Sequence, residues 1–322
     1  MELLAAVWYN GRTGVVVEAC GRKKRNLYCE ERDMANEMGM SRRSFIGAGA
    51  AVAAGAMTGG LSFAAGTSKP DSKFNGVQVG AITYSWRSLP GSAEDILKYT
   101  TQCGLSSLEL MGEPAEQYAR KAGGSMEGFR ALRKMYNDAG VNIHIVKFGN
   151  IGDGGMSDEQ IEYYFNAAKA LGAKGITREL SEPAAKKLGP IADKHGIWIA
   201  FHNHTQLTPT TYDGQILSYG KYLGINLDIG HYVAGTNCSP ILLMEKLQKR
   251  IVSLHIKDRK VNNGPNMPFG EGDTPVALVL QYMKMNKLKF PADIELEYNV
   301  PAGSDAIKEV IRCVQFCKKS LE

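Results

Sequence analysis

Eight short apolar runs, each followed by a helix-length amphipathic segment, fill residues 77–319 and constrain this chain more than any other feature. The runs are 77–84, 107–110, 141–147, 175–178, 197–201, 224–228, 252–257 and 292–297. Helical periodicity follows them at 92–103, 125–139, 157–171, 181–195, 213–221, 239–249, 275–286 and 303–319. Such alternation is the pattern of repeated βα units, which build a parallel sheet with helices over its outer face. The punctuation is regular. Ser157 with Gln160 forms a capping-box pattern, Pro183 and Pro240 fall in first helical turns, and Gly104, Gly140, Gly172 and Gly196 follow helices. Eight such units favour a closed single-domain (β/α)8 TIM barrel over residues 77–322, an α/β fold that carries its chemistry at the C-terminal ends of its strands.

The barrel does not account for the start of the chain. Residues 40–65 read as a twin-arginine export signal: Arg42-Arg43 with Phe45-Ile46, then an Ala- and Gly-rich run, then small residues before a cleavage point after Ala64. Thirty-nine residues precede it without periodicity, so residues 1–39 read as an upstream extension of the frame, with the natural start at Met38 or Met40. Residues 66–76 are a linker. Export to the periplasm, with no lasting membrane association after cleavage, is the expected location.

Formal charge is +5 over 322 residues and is spread without a basic stripe, which gives no electrostatic case for nucleic acid. The six cysteines lack the paired CxxC spacing of a structural zinc site and read as buried thiols. The expected partner is a small-molecule sugar, and assembly of identical copies is left open.

Four of the six histidines lie at three strand ends: Phe201-His202-Asn203-His204, Leu227-Asp228-Ile229-Gly230-His231 and Leu254-His255-Ile256-Lys257-Asp258. Residues two apart on an extended strand share a face, so His202 and His204 point together, as do His255 with Lys257 and Glu295 with Glu297. Imidazoles and carboxylates gathered this way suit a divalent ion, or serve as acid, base and substrate contacts. Asp228 also reads as the N-cap of the next helix, and Glu179 as an acidic residue favoured by a helix N-terminus. Trp86, Glu109 and Lys147 complete the strand-end residues expected to line a pocket.

The ordered set Leu227-Asp228-Ile229-Gly230-His231, Leu254-His255-Ile256-Lys257-Asp258, Pro268-Phe269-Gly270-Glu271-Gly272-Asp273 and Ile294-Glu295-Leu296-Glu297 resembles the sugar phosphate isomerase/epimerase family, with xylose isomerase-like barrels, over about residues 77–320. The resemblance implies one divalent metal held by Glu, Asp, His and Glu from successive strand ends. Carried over, these are Asp228, His255 and Glu297, with Glu295 as the other candidate for the last position, and His231 as a substrate contact. The first glutamate has no direct match. His202 stands in its place, or Glu179 moves in from the neighbouring strand.

The leading expectation is a metal-dependent isomerase or epimerase of a keto- or hydroxy-sugar working through an enediolate. Mn2+ is the expected ion, with Mg2+, Co2+, Zn2+ or Fe2+ as substitutes. Glu297 or Glu179 would take the proton, with His231 and Lys257 steadying the enediolate. Trp86, Glu109, Lys147, His202, His204 and Glu295 would contact substrate. One alternative is a lyase or hydratase acting on keto-sugars or keto-glycosides, in which His202 and His204 supply the extra acid or base. Another is a secreted sugar-binding barrel without chemistry.

Overall fold

The computed structural model describes residues 69–322; the export signal at 40–65, the extension at 1–39 and the start of the linker lie outside the described residues. Eight parallel strands close on themselves: β1 (Val77–Ile82), β2 (Ser107–Met111), β3 (Asn142–Lys147), β4 (Gly175–Glu179), β5 (Trp198–His202), β6 (Leu223–Asp228), β7 (Ile251–Ile256) and β8 (Ala292–Ile294). Each pairs with its neighbours in sequence, and β8 returns to β1 through Ala292 opposite Val79. The fold is a TIM barrel. The helices around it are α1 (Ala93–Gln102), α2 (Gly112–Lys121), α3 (Met126–Asp138), α4 (Asp158–Leu171), α5 (Glu182–His195), α6 (Ile229–Thr236), α7 (Ile241–Leu247), α8 (Val276–Met285) and α9 (Ala306–Leu321).

Helix starts follow the serine and aspartate pattern. Ser92, Ser157, Ser181 and Asp305 each accept a backbone N–H of the first turn, and Ser157 with Gln160 closes a full capping box. Strands β2, β6 and β7 are buried along nearly their whole length. One set of alternate residues, including Leu108, Leu110, Ile176, Ile225, Leu227, Leu254 and Ile256, joins the apolar core with the helices. The other set fills the lumen, and much of it is polar.

Three differences from the sequence-based expectation concern local elements. Residues 213–221 form a single 3-10 turn at Thr211–Asp213 followed by turns. That segment packs backbone against backbone on α5, where a Cβ at Gly189 would overlap Tyr219 O. Helices α2 and α6 lie outside the expected helical segments. The second arises because Asp228 both ends β6 and caps the next helix, leaving no loop between them.

The Pro268–Asp273 motif folds back onto the end of β7. Asp258 accepts backbone N–H groups from Gly270 at 2.8 Å, Gly272 at 2.9 Å and Thr274 at 3.1 Å. A Cβ at Gly272 would meet Asp258 Oδ1 at 1.9 Å, so only glycine permits this wrap. The motif therefore anchors the strand that carries His255 and Lys257.

Candidate functional site

The upper lumen is organised around His255, which is wholly buried with a carboxylate on each side. Nε2 lies 2.9 Å from Glu109 Oε2 on β2, and Nδ1 lies 3.0 Å from Glu295 Oε2 just beyond β8. Asn226 donates to the same Glu109 oxygen at 2.7 Å and to Thr177 Oγ1 at 3.1 Å. Burial alone would expel charge from all three ionisable groups. Mutual attraction overcomes it. Burial raises Glu109 and Glu295, but the charge on His255, and on Lys257 for Glu295, holds both carboxyls below the usual range. Burial likewise opposes the imidazolium, yet the two carboxylates raise His255 well above an ordinary histidine.

Lys257 forms a second hub one step nearer the mouth. Its Nζ lies 3.0 Å from Asp228 Oδ2, 2.8 Å from Glu295 Oε2 and 2.5 Å from Glu297 Oε2. Asp228 is held on both sides. Its Oδ1 accepts the His231 N–H at 2.7 Å as the cap of α6. The Asn203 amide bonds its backbone in both directions at 3.0 Å, tying the ends of β5 and β6 together. Burial pushes the Asp228 carboxyl up to about 7 against the pull of Lys257.

Histidines crowd the mouth. His231 has cationic donors on both ring nitrogens, Lys257 Nζ at 3.0 Å from Nε2 and Arg259 at 2.6 Å from Nδ1. A neutral imidazole has one lone pair, so these two donors contest it. Burial and the Lys257 charge push His231 down to about 2, which keeps the ring neutral. His202 is buried with Nδ1 unpartnered, and burial with the nearby His255 charge lowers it well below an ordinary histidine. At the rim Lys147 pairs with Glu179 at 2.7 Å, and the exposed His204 stands 3.7 Å from the same carboxylate.

The sequence-predicted residues thus fall into distinct places. His202, Asp228 and His255 converge with Glu295: one ligating atom from each lies within 4.8 Å of the others. Glu297, His231 and Lys257 stand beside that set, and Glu179, Lys147 and His204 form the rim. Glu109 lies beneath His255 and is closed to solvent, while Trp86 is buried with its ring against Tyr99 of α1. Asn226, Thr177 and Arg259 belong to the site and were missed by sequence reasoning. Each sits two residues from a named site residue, so reading the strands with period two would have found them.

Two imidazoles and two carboxylates from four adjacent strand ends make a donor set suited to a divalent ion of mixed nitrogen and oxygen preference. The orphaned Nδ1 of His202 fits such a guest. So does Glu109: by taking the Nε2 side of His255 it leaves Nδ1 on the cluster side, the carboxylate–histidine arrangement that orients metal-binding imidazoles.

The family model for the xylose isomerase-like TIM barrel matches residues 97–317, more than half of the chain. No curated protein matches the sequence. Among solved structures, a probable 3-DHS dehydratase of Bacillus anthracis is similar with a TM-score of 0.60 and 16% identity, over 74% of this chain and 98% of that one. A sugar phosphate isomerase/epimerase of Parabacteroides distasonis has a TM-score of 0.53 and 20% identity, over 77% and 96%. The 3-keto-D-glucoside 4-epimerase of E. coli has a TM-score of 0.55 and 14% identity, over 74% and 98%. At these identities the likeness establishes the fold alone.

Proposed function

The chain belongs to the xylose isomerase-like TIM barrel family, and on that premise we propose that it is an enzyme removing the proton beside the carbonyl of a keto- or hydroxy-sugar. The observation that carries this reading is the convergence of His202, Asp228, His255 and Glu295 beside Lys257 and Glu297. A divalent ion held by those four residues, Mn2+ in the first instance, would supply Lewis acidity to adjacent sugar oxygens.

The chain's own groups do the rest. Glu297 is partly open to the mouth, so its carboxylate can reach a substrate carbon and take the proton. Lys257 carries positive charge where an enediolate oxygen would develop, and the neutral His231 ring adjoins it. Glu109, Asn226 and Thr177 position His255 from below and touch no substrate. Glu179, with Lys147 and His204, offers a second carboxylate across the mouth, which isomerisation or epimerisation needs to return the proton.

A specific observation favours a second outcome. The β5 position where the resemblance implies a metal-bound glutamate holds His202, and three imidazoles ring the mouth. His204, the exposed one of the three, is placed to protonate a leaving hydroxyl, which turns the same intermediate into an elimination or hydration product. Incubation with keto-sugars in D2O, followed by NMR, separates the outcomes. Isomerisation or epimerisation conserves the formula and places deuterium at one carbon, whereas elimination removes water. Chelation abolishes turnover and added Mn2+ restores it; full turnover by metal-stripped protein sinks the proposal.

A further inference from the structure

His202 belongs to two convergent sets, and the second is made of imidazoles alone. One nitrogen each from His202, His204 and His231 lies within 4.8 Å of the other two. For three imidazoles on one tetrahedral ion, metal–nitrogen bonds of about 2.0–2.1 Å put ring centres about 5 Å apart. The observed separations are 5.1 Å for His202–His204, 4.9 Å for His204–His231 and 6.2 Å for His202–His231. The buried Nδ1 of His202 is unpartnered, the same orphan that the inner set would use, so one ion or the other takes it. We propose that His202, His204 and His231 form an outer metal site for a nitrogen-preferring divalent ion such as zinc, sharing His202 with the inner carboxylate-bearing set.

Donor chemistry distinguishes the two. An all-imidazole set suits zinc, copper or nickel, whereas carboxylate oxygens are what manganese and magnesium require. His204 is 56% exposed at its side chain, so the outer ion keeps a water-accessible position. Loading it draws on His202 and leaves the inner ion Asp228, His255 and Glu295, still three protein ligands. The ion takes the single lone pair of His231, so Lys257 and Arg259 must both give up their contacts with the ring; Lys257 keeps three carboxylates and Arg259 keeps the Gly264 carbonyl.

Charge sets the order of binding. In and beneath the mouth Glu109, Asp228, Glu179, Glu295 and Glu297 outnumber Lys147, Lys257, Arg259 and the His255 imidazolium, and the first divalent ion, displacing the His255 proton, cancels that surplus. The outer ion therefore binds second and more weakly. This inference rests on ring geometry and not on the sugar chemistry.

Metal-stripped full-length protein titrated calorimetrically with Zn2+ should take up two equivalents in two steps, and with Mn2+ one. Metal content after gel filtration gives the same count. His204→Ala, at an exposed position that leaves the fold intact by circular dichroism, should lose the weaker zinc step and keep the tighter one. Cobalt supplies a second readout, because a nitrogen-rich site of low coordination absorbs strongly in the visible and His204→Ala should remove that band. A single zinc equivalent in the wild type, or two unchanged equivalents in His204→Ala, overturns the proposal. Either result leaves the sugar reaction to stand or fall on its own assay.

Discussion

Two polar layers fill the barrel lumen, one strand repeat apart, and they satisfy their hydrogen bonds differently. In the lower layer Ser107 Oγ meets His144 Nδ1 at 3.0 Å, His144 Nε2 meets Asp293 Oδ2 at 2.9 Å, and Ser253 donates to the same oxygen at 2.6 Å. Both ring nitrogens have partners, and Gly80 gives Asp293 the room it needs, since a Cβ there would lie 2.2 Å from Oδ1. The lower layer leaves one orphan, Asp293 Oδ1, whereas the upper layer holds orphaned atoms on His202, Glu109 and Asn226, and two cations contest one lone pair of His231. A buried polar network that is nearly closed holds strands in register, whereas one left more open spends stability on readiness for a guest. The position fits the roles: the lower layer lies toward the N-terminal face of the barrel and the upper at its C-terminal mouth.

The contrast breaks most sharply at Glu297. Glu297→Gln keeps the shape of the side chain and leaves Lys257 its contacts with Asp228 and Glu295. We expect kcat to fall by about 10²–10⁴, the usual weight of a positioned general base. Stability should change by no more than about 1 kcal/mol, since the lost pair is partly solvated. Steady-state kinetics beside a urea titration checks both halves. Turnover within a few-fold of wild type removes Glu297 from the chemistry.

Asp293→Ala tests the opposite layer. It strands the His144 ring and the Ser253 hydroxyl in a closed interior, which should cost about 3–5 kcal/mol in chemical denaturation. Turnover per folded molecule should survive, because Asp293 touches no group of the mouth. A variant as stable as wild type would show that the lower layer does not hold the barrel together.

The barrel was legible because its signal repeats eight times, and each strand run was found to within a few residues. Asp228, His255 and Lys257 were legible because they close apolar runs. Much of the lower layer escaped notice although it obeys the same rule. Ser107, Ser253 and Asp293 each stand two residues before Glu109, His255 and Glu295, so they share the same face one layer down. They look unremarkable in sequence, because a buried serine differs from a surface one only through partners that other strands provide. The position of Glu295 against Glu297 was undecidable for a related reason. Both point to one face, and only the place of Lys257 between them separates the residue beside His255 from the one at the rim.

The finest test of the contrast is the orphan ring itself. Burial holds His202 neutral in the fold, with a pKa well below the 6.5 of a free imidazole. The unfolded chain therefore gains a proton on acidification that the folded ring refuses, and stability contributed by the neutral ring is lost as pH falls below 6.5. Each pH unit below that value should cost the metal-stripped wild type up to about 1.4 kcal/mol that His202→Gln does not lose. Urea titrations of both proteins in chelator, between about pH 7.5 and about pH 5.5, measure the difference directly. A gap that stays constant across that range would mean that His202 already has a partner in the folded protein, and the upper layer would then be as closed as the lower.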